Sequence, residues 1–188
     1  IDTNILNKFN DGKISLTFMS DIIRFNLLKN NGGLWIDSTV YVNTNIENYF
    51  FQNIFTIGID DRKFHDSVNG GFSSFLIGGQ NIIFDFMDEF YRVYYSKNDS
   101  INYYFTLDVA LNYCYKNNIG GFKNYVDNTS FGSDPLVHEL IKKINDKYSD
   151  KEYEKIKSRF YKLTYKINLS CENDTYFKRI IEKNYPFN

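Results

Sequence analysis

The chain has 188 residues and a formal net charge of -1, with 22 Lys and Arg against 23 Asp and Glu. Apolar residues make up 43% of it, including 16 Tyr and 18 Phe, which excludes an intrinsically disordered chain. The balanced charge gives no basic field for a phosphate backbone, so the sequence predicts no nucleic-acid partner.

The two cysteines, Cys114 and Cys171, form no CxxC pair and no disulfide framework, which is typical of a reducing compartment. No apolar run reaches the roughly 20 residues of a transmembrane helix. We therefore expect a cytoplasmic protein, with peripheral association at the inner face of a membrane as a property of a longer parent. The chain begins with Ile1, so its numbering is expected to start inside such a parent. Its oligomeric state is left open.

Apolar residues at three- and four-residue steps predict an amphipathic helix over residues 16–30, ended by two glycines. Buried strands are predicted at residues 34–36, 55–59 and 72–77, with polar or glycine-rich turns between them. Further along, the patterns predict helices over 82–95, 103–117 and 135–147, and from 149 onward. They also predict strands at 124–126 and 161–169, and a last helix capped at 173–174. This order favours a single α/β domain over residues 1–188.

The densest group of candidate functional residues lies around the first predicted helix and strand. Asp21 and Arg24 are three residues apart on the helix, so they share a face and can form an ion pair. The glycine break folds the chain back and lets the strand deliver Trp35 and Asp37 near that face. Carboxylates suit sugar hydroxyls and hard divalent cations, a guanidinium suits carboxylate or phosphate oxygens, and an indole suits the face of a ring.

This run, Ser-Asp-x-x-Arg from Ser20 followed by Gly-Gly-x-Trp-x-Asp ending at Asp37, resembles the signature of the DXD-type nucleotide-sugar glycosyltransferase superfamily. It is most similar to the capsular polysaccharide synthesis branch. The resemblance is specific over residues 20–40 and continues weakly through 72–75 and 103–108.

The resemblance implies a GT-A, Rossmann-like fold, a UDP- or GDP-sugar donor, Mn²⁺ or Mg²⁺, and transfer with retention to a glycan acceptor in bacterial surface polysaccharide synthesis. A protein-modifying glycosyltransferase is the alternative within the same fold. A non-catalytic sugar- or nucleotide-binding module is the alternative from another class. In this superfamily the strands that bind the nucleotide precede the Ser-Asp-x-x-Arg helix. Part of this N-terminal nucleotide-binding half is therefore expected upstream of Ile1. The alternative is a reduced fold that cannot bind a donor in the ordinary way.

Mapped by resemblance, the catalytic residues are Asp21, Arg24, Asp37 and, as a carboxylate near the acceptor, Asp108. The same mapping assigns donor binding to Ser20, Asp21, Arg24, Gly33, Trp35, Asp37 and Thr39. Asp37 is the metal-binding candidate. Thr39 stands where the superfamily usually has a second Asp, which leaves metal dependence open.

Other candidates are weaker. Asp60 and Asp61 are alternative acceptor-side carboxylates, and with His65 they could form a phosphoesterase metal site, although a chain with only 2 His argues against a two-metal cluster. His138 fits packing or solvent better than catalysis. The aromatic helices between residues 84 and 115 suit either a core or an acceptor surface. A basic stretch is expected to be a solvated face; it comprises Lys155, Lys157, Arg159, Lys162 and Lys166.

Overall fold

A computed structural model describes residues 1–44, 76–78, 81–128, 136–170 and 172–182. These residues pack as two compact units: the first contains 1–35, 76–78 and 81–128, and the second contains the rest. The α/β class is confirmed, whereas a single domain over 1–188 and the GT-A arrangement stay predictions. In the described part of the chain, no helix has both the length and the hydropathy that crossing a membrane requires.

Short strands alternate with helices along the described chain. The helices are α1 (Thr3–Asn10), α2 (Leu16–Asn31), α3 (Ile82–Lys97), α4 (Thr106–Lys116), α5 (Phe122–Asn128), α6 (Glu139–Lys142) and α7 (Asp150–Ile156). The strands are β1 (Leu34–Ile36), β2 (Val40–Val42), β3 (Leu76–Gly78) and β4 (Phe160–Lys162). A 3₁₀ turn covers Ile119–Gly121, and a π-helical segment covers Phe177–Glu182.

The first unit is built around the packing of α2 against α3, with β1 paired to β3. Phe25 of α2 and Phe84 of α3 are fully buried, and their ring centroids lie 6.2 Å apart. Helix α2 ends at Gly32, whose φ of 65° places it in the left-handed region and whose N–H donates to the Leu28 carbonyl at 2.8 Å. The glycine break therefore starts β1 directly after the helix, as the sequence predicts.

The second unit is organised by the antiparallel pairing of β2 with β4. Tyr41 lies opposite Tyr161, and their buried rings stack with centroids 6.1 Å apart. The Tyr41 hydroxyl donates to the Ile180 carbonyl at 3.0 Å, and the Tyr161 hydroxyl accepts from the Ser158 N–H at 2.8 Å. Because both buried hydroxyls are hydrogen-bonded, the stacked rings are buried without leaving an unsatisfied polar group.

The prediction of a strand at residues 124–126 is wrong, because this segment lies inside helix α5. Asn118 adopts a left-handed conformation, and its side-chain oxygen accepts from the Lys123 N–H at 3.1 Å, which caps the new helix. One turn on, Lys123 pairs with Asp127 at 3.0 Å. These local polar contacts favour the helix over the strand that Tyr125 and Val126 suggested.

Three predicted elements are shorter or placed differently. The helix predicted over 135–147 is reduced to α6, because the Lys143 and Asp146 N–H groups bond three residues back as in isolated turns. The strand predicted over 161–169 stops after Lys162, where Thr164 accepts from the Lys166 N–H and turns the chain. The last helix is π-helical and begins at Phe177.

Helix α1 was not predicted; Asp2 caps it by accepting from the Asn4 N–H at 2.8 Å. The strand predicted at 55–59 lies outside the described residues. Of the strand predicted at 72–77, only residues 76 and 77 are described, and they belong to β3.

Candidate functional site

The ion pair predicted between Asp21 and Arg24 is present in the first unit, and the structure shows that it is buried. Arg24 and Asp21 share one face of α2, and the Arg24 Nη2 lies 3.4 Å from the Asp21 Oδ1. Their side chains are only 8% and 12% exposed. Burying two charges costs several kcal/mol per ion before their attraction offsets it, so this pair is unlike an ordinary surface pair.

Trp35 is the aromatic neighbour of this pair. The Arg24 guanidinium carbon lies 5.3 Å from the centroid of the indole ring, within cation–π range. Trp35 reaches this position because β1 starts directly after the glycines that end α2. Arg24 thus contacts a carboxylate and an indole within one unit, the combination that the motif predicts.

Asp108 adds a second carboxylate to the same group. It lies in the first turn of α4 and is half-buried. Burial, with a smaller contribution from the charge of Asp21, raises the pKa of Asp108 to about 7. At neutral pH the Asp108 carboxyl is therefore close to half protonated, which lets it either donate or accept a hydrogen bond.

Tyr91 of α3 belongs to this group and was not predicted. Its side chain is fully buried, and its hydroxyl meets no hydrogen-bond partner within the described residues. Burial and the negative charges of Asp21 and Asp108 raise the pKa of Tyr91 well above its usual value, against a smaller opposite effect of Arg24. An aromatic residue at helical spacing reads as core from sequence, so nothing in the pattern distinguished Tyr91. We refer to Asp21, Arg24, Trp35, Tyr91 and Asp108 as the Asp21 cluster.

Asp37 lies in the second unit, where it pairs with Lys162. The Lys162 Nζ donates to the Asp37 Oδ2 at 2.8 Å, and each side chain is 24% exposed. The basic stretch was predicted to be a solvated face, and Lys155 and Lys157 are indeed exposed and paired with neighbouring glutamates. Lys162 departs from that prediction because β4 directs it towards a residue 125 positions away in the sequence.

The remaining donor-site candidates are divided between the two units. Ser20 is half-buried on α2, and Gly33 has a φ of 93° with open space around the position of a Cβ. The Thr39 carbonyl accepts from the Leu163 N–H at 2.7 Å in the second unit. His138 is half-buried, and burial lowers its pKa, with Lys142 and Lys162 adding to the effect.

A metal centre built from several acidic or imidazole side chains is absent from the part of the chain that the structure describes. No three His, Cys, Asp or Glu side chains there are grouped so that they could hold a metal ion. The phosphoesterase candidates Asp60, Asp61 and His65 lie outside the described residues.

The aromatic helices α3 and α4 form an apolar cavity of about 370 Å³ in the first unit. On α4 its lining residues repeat every three or four positions, which places them on a different face from Asp108. Tyr113 remains 55% exposed, and its ring stacks on Phe86 with centroids 5.6 Å apart. The cavity is lined by Phe86, Phe90, Tyr103, Thr106, Val109, Ala110 and Tyr113. These helices thus provide both core and accessible aromatic surface.

Comparison with known proteins gives one result. The family model described as capsular polysaccharide synthesis protein matches residues 1–180, nearly the whole chain. No curated protein matches the chain, and no solved structure matches it. The match supports the branch that the Ser20–Asp37 motif indicates.

Proposed function

Because this chain belongs to the family of capsular polysaccharide synthesis proteins, we propose that it is a glycosyltransferase. Membership of the family indicates a role in surface polysaccharide biosynthesis. The proposed reaction moves a sugar from a UDP- or GDP-sugar to a glycan acceptor with retention at the anomeric carbon. Nucleotide sugars are made in the cytoplasm, so the proposal places the reaction there.

One observation carries the proposal: the buried Asp21–Arg24 pair lies against Trp35. Buried ion pairs add little to folding stability, and replacing one with hydrophobic side chains of similar volume often leaves stability unchanged or raises it. The presence of such a pair beside an indole is therefore better explained by ligand binding than by stability. A sugar ring offers hydroxyls for the carboxylate and guanidinium and an apolar face for the indole, so the three side chains match its chemistry.

Asp108 is proposed as the carboxylate that takes a hydrogen bond from a sugar hydroxyl. Its pKa of about 7 suits an exchange of hydrogen bonds at neutral pH, because neither protonation state is strongly favoured. Asp21 influences that pKa directly, which supports assigning both carboxylates to one polar group. Asp37 and Thr39 enter the proposal through the motif, Asp37 as the first residue of the Asp-x-Thr sequence.

The proposed chemical step needs no protein nucleophile. The bond between the anomeric carbon and the diphosphate oxygen breaks, and its electron pair stays on the departing diphosphate. The acceptor oxygen forms the new bond to the same carbon, and its proton passes to the diphosphate. The protein contributes by positioning the two substrates and by stabilising charge on the leaving group.

The aromatic cavity supports a place for the acceptor. A volume of about 370 Å³ is within the range of small-molecule sites, and Tyr and Phe rings can stack on sugar faces. Because its residues lie on another face of α4 from Asp108, we assign the cavity to a part of the acceptor that is remote from the reacting hydroxyl.

The test is transfer by the full chain, measured as release of UDP or GDP from a panel of sugar donors with capsular oligosaccharides as acceptors. We expect Asp21→Asn to abolish release, because the carboxylate charge that pairs with Arg24 is removed. The matched control is Glu89→Gln, which breaks an exposed pair with Arg92 at the same three-residue spacing.

Three results of this experiment would contradict the proposal. Unchanged release by a folded Asp21→Asn protein would remove the Asp21 cluster from the site. Sugar transfer to a protein rather than to a glycan would favour the protein-modifying alternative. Donor binding without any release of nucleotide would favour a non-catalytic module.

A further inference from the structure

The ion pair between Lys162 and Asp37 has a short distance between its charges and is accessible to solvent. The Nζ–Oδ2 distance is 2.8 Å, and about a quarter of each side chain is exposed to solvent. A pair with this exposure can exchange partners without unfolding its surroundings, because solvent already reaches both charges. Lys162 is therefore placed where it could meet an incoming anion.

Backbone hydrogen bonds fix Lys162 next to the Asp-x-Thr turn. The turn is closed by the Val40 N–H, which donates to the Asp37 carbonyl at 2.9 Å. Lys162 lies opposite Val40 in the β2–β4 pairing, and its own N–H donates to the Val137 carbonyl at 2.8 Å. On the next residue, Leu163 donates to the Thr39 carbonyl at 2.7 Å. Hydrogen bonds thus fix the backbone at Lys162 and Leu163, and only the Lys162 side chain needs to move to contact an anion.

The same turn is a poor fit for the divalent cation that the resemblance implies. Thr39 offers a neutral hydroxyl where a second carboxylate would be needed, and the described residues supply no cluster of three acidic or imidazole ligands. One oxygen of Asp37 already accepts from an ammonium group, which would compete with a cation for it. The residues of this turn therefore do not fit a divalent cation at Asp37.

We infer that Lys162 is the cationic group that binds the diphosphate of the donor, and that Asp37 positions it. This inference rests on the proposed function. When the bond from the anomeric carbon to the diphosphate oxygen breaks, the electron pair stays on the diphosphate, and the ammonium group of Lys162 donates hydrogen bonds to that growing charge. Such charge-assisted bonds are the strong class of hydrogen bond, and they strengthen as negative charge develops. The proton lost by the acceptor passes to the same diphosphate.

The test is calorimetric titration of the full chain with UDP and with GDP in the presence of a chelator. We expect the wild-type protein to bind one of these nucleotides and Lys162→Met to bind it at least about tenfold more weakly, because one charge-assisted bond is lost. Lys162→Arg keeps the charge and is expected to stay within about threefold of the wild-type protein. Lys157→Met is the matched control, since Lys157 is exposed and pairs with Glu154 at 3.1 Å.

Asp37→Asn separates the inference from a metal site, and a melting curve of each variant confirms that it is folded. With chelator present, we expect Asp37→Asn to bind the diphosphate as well as the wild-type protein or more tightly, because Lys162 is released from its partner. Its turnover falls, because Lys162 is no longer positioned. Two results would overturn the inference and leave the proposed function standing. One is equal affinity of Lys162→Met and the wild-type protein for the nucleotide. The other is nucleotide binding that requires Mn²⁺ and disappears in Asp37→Asn. No binding of either nucleotide by the wild-type protein, with or without Mn²⁺, would overturn both.

Discussion

Each unit holds a charged pair that includes a residue of the Ser20–Asp37 motif, and the two pairs differ in burial and in the sequence distance between their partners. Asp21 and Arg24 are neighbours on one helix, almost completely buried and packed against an indole. Asp37 lies in the turn before β2 and Lys162 in β4, so the two come from distant parts of the chain, and each side chain remains about a quarter exposed. The first pair is shielded from solvent, whereas solvent reaches both charges of the second.

This contrast separates two tasks that a sugar-nucleotide donor imposes. Recognising a neutral sugar requires fixed, desolvated hydrogen-bonding groups, because each sugar hydroxyl offers only modest binding energy. Binding a diphosphate requires charge that an anion can reach from solvent. The buried pair suits the first task, and the accessible pair suits the second.

Removing one partner of the buried pair should have the largest effect on stability. Arg24→Met leaves Asp21 buried without its guanidinium, which costs about 3–5 kcal/mol of unfolding free energy. Arg92→Met makes the same chemical change in the exposed helical pair with Glu89 and should alter stability little. Urea denaturation of both variants measures the difference. Equal losses would mean that burial does not distinguish the two pairs.

Asp108→Asn should change how stability depends on pH. Asp108 has a pKa of about 7 in the folded chain against 3.8 when unperturbed, so between these values the folded state binds more protons than the unfolded state. Protonated Asp108 therefore contributes its full share to the free energy of unfolding below pH 4. That contribution, about 2 kcal/mol after allowing for solvent screening, is lost as the pH rises towards 7. Asn does not titrate, so the wild-type protein should lose stability relative to Asp108→Asn between pH 4 and 7. A constant difference in denaturation free energy across that range would exclude a buried, titrating Asp108.

Breaking the exposed pair should cost much less than breaking the buried one. Lys162→Met is expected to lower the unfolding free energy by about 1 kcal/mol or less, because solvent screens both charges. The effect should shrink further in high salt. Denaturation at low and high ionic strength checks this, and a loss as large as that of Arg24→Met would show that the pair is a structural support instead of an exchangeable one.

The smallest effect is expected from Tyr91→Phe. The Tyr91 hydroxyl is buried without a hydrogen-bond partner in the described residues, so its removal should leave stability unchanged or slightly higher. Thermal melting of the variant beside the wild-type protein is sufficient. A clear drop in melting temperature would indicate that a buried water or another group satisfies the hydroxyl.

Local signals in the sequence predicted the Asp21–Arg24 pair, whereas the Asp37–Lys162 pair depends on a long-range contact and was not predicted. The three-residue spacing of Asp21 and Arg24 and the glycine stop after Asn31 define α2 and β1 without reference to the rest of the chain. The partner of Asp37 depends on a strand that ends 125 residues later, so Lys162 looked like one more solvated lysine.

Burial explains the other differences. The pKa of Asp108 depends on how α4 packs, and the pattern alone suggests only that a carboxylate starts a helix. The helix at 122–128 replaced a predicted strand because Asn118 caps it, a contact set by one left-handed residue. The prediction was therefore incomplete where packing decided the outcome, and wrong at 124–126, where one left-handed residue starts a helix.

The central claim is that the Asp21 cluster binds the sugar of a nucleotide donor, and one calorimetric comparison tests it most directly. UDP, GDP and their sugar conjugates are titrated into the full chain and into Trp35→Leu. We predict that the wild-type protein binds a sugar conjugate more tightly than the bare nucleotide, and that Trp35→Leu loses this difference while keeping its affinity for the nucleotide. A folded Trp35→Leu protein that retains the full advantage of the conjugate would contradict the claim, as would a wild-type protein that binds none of these compounds.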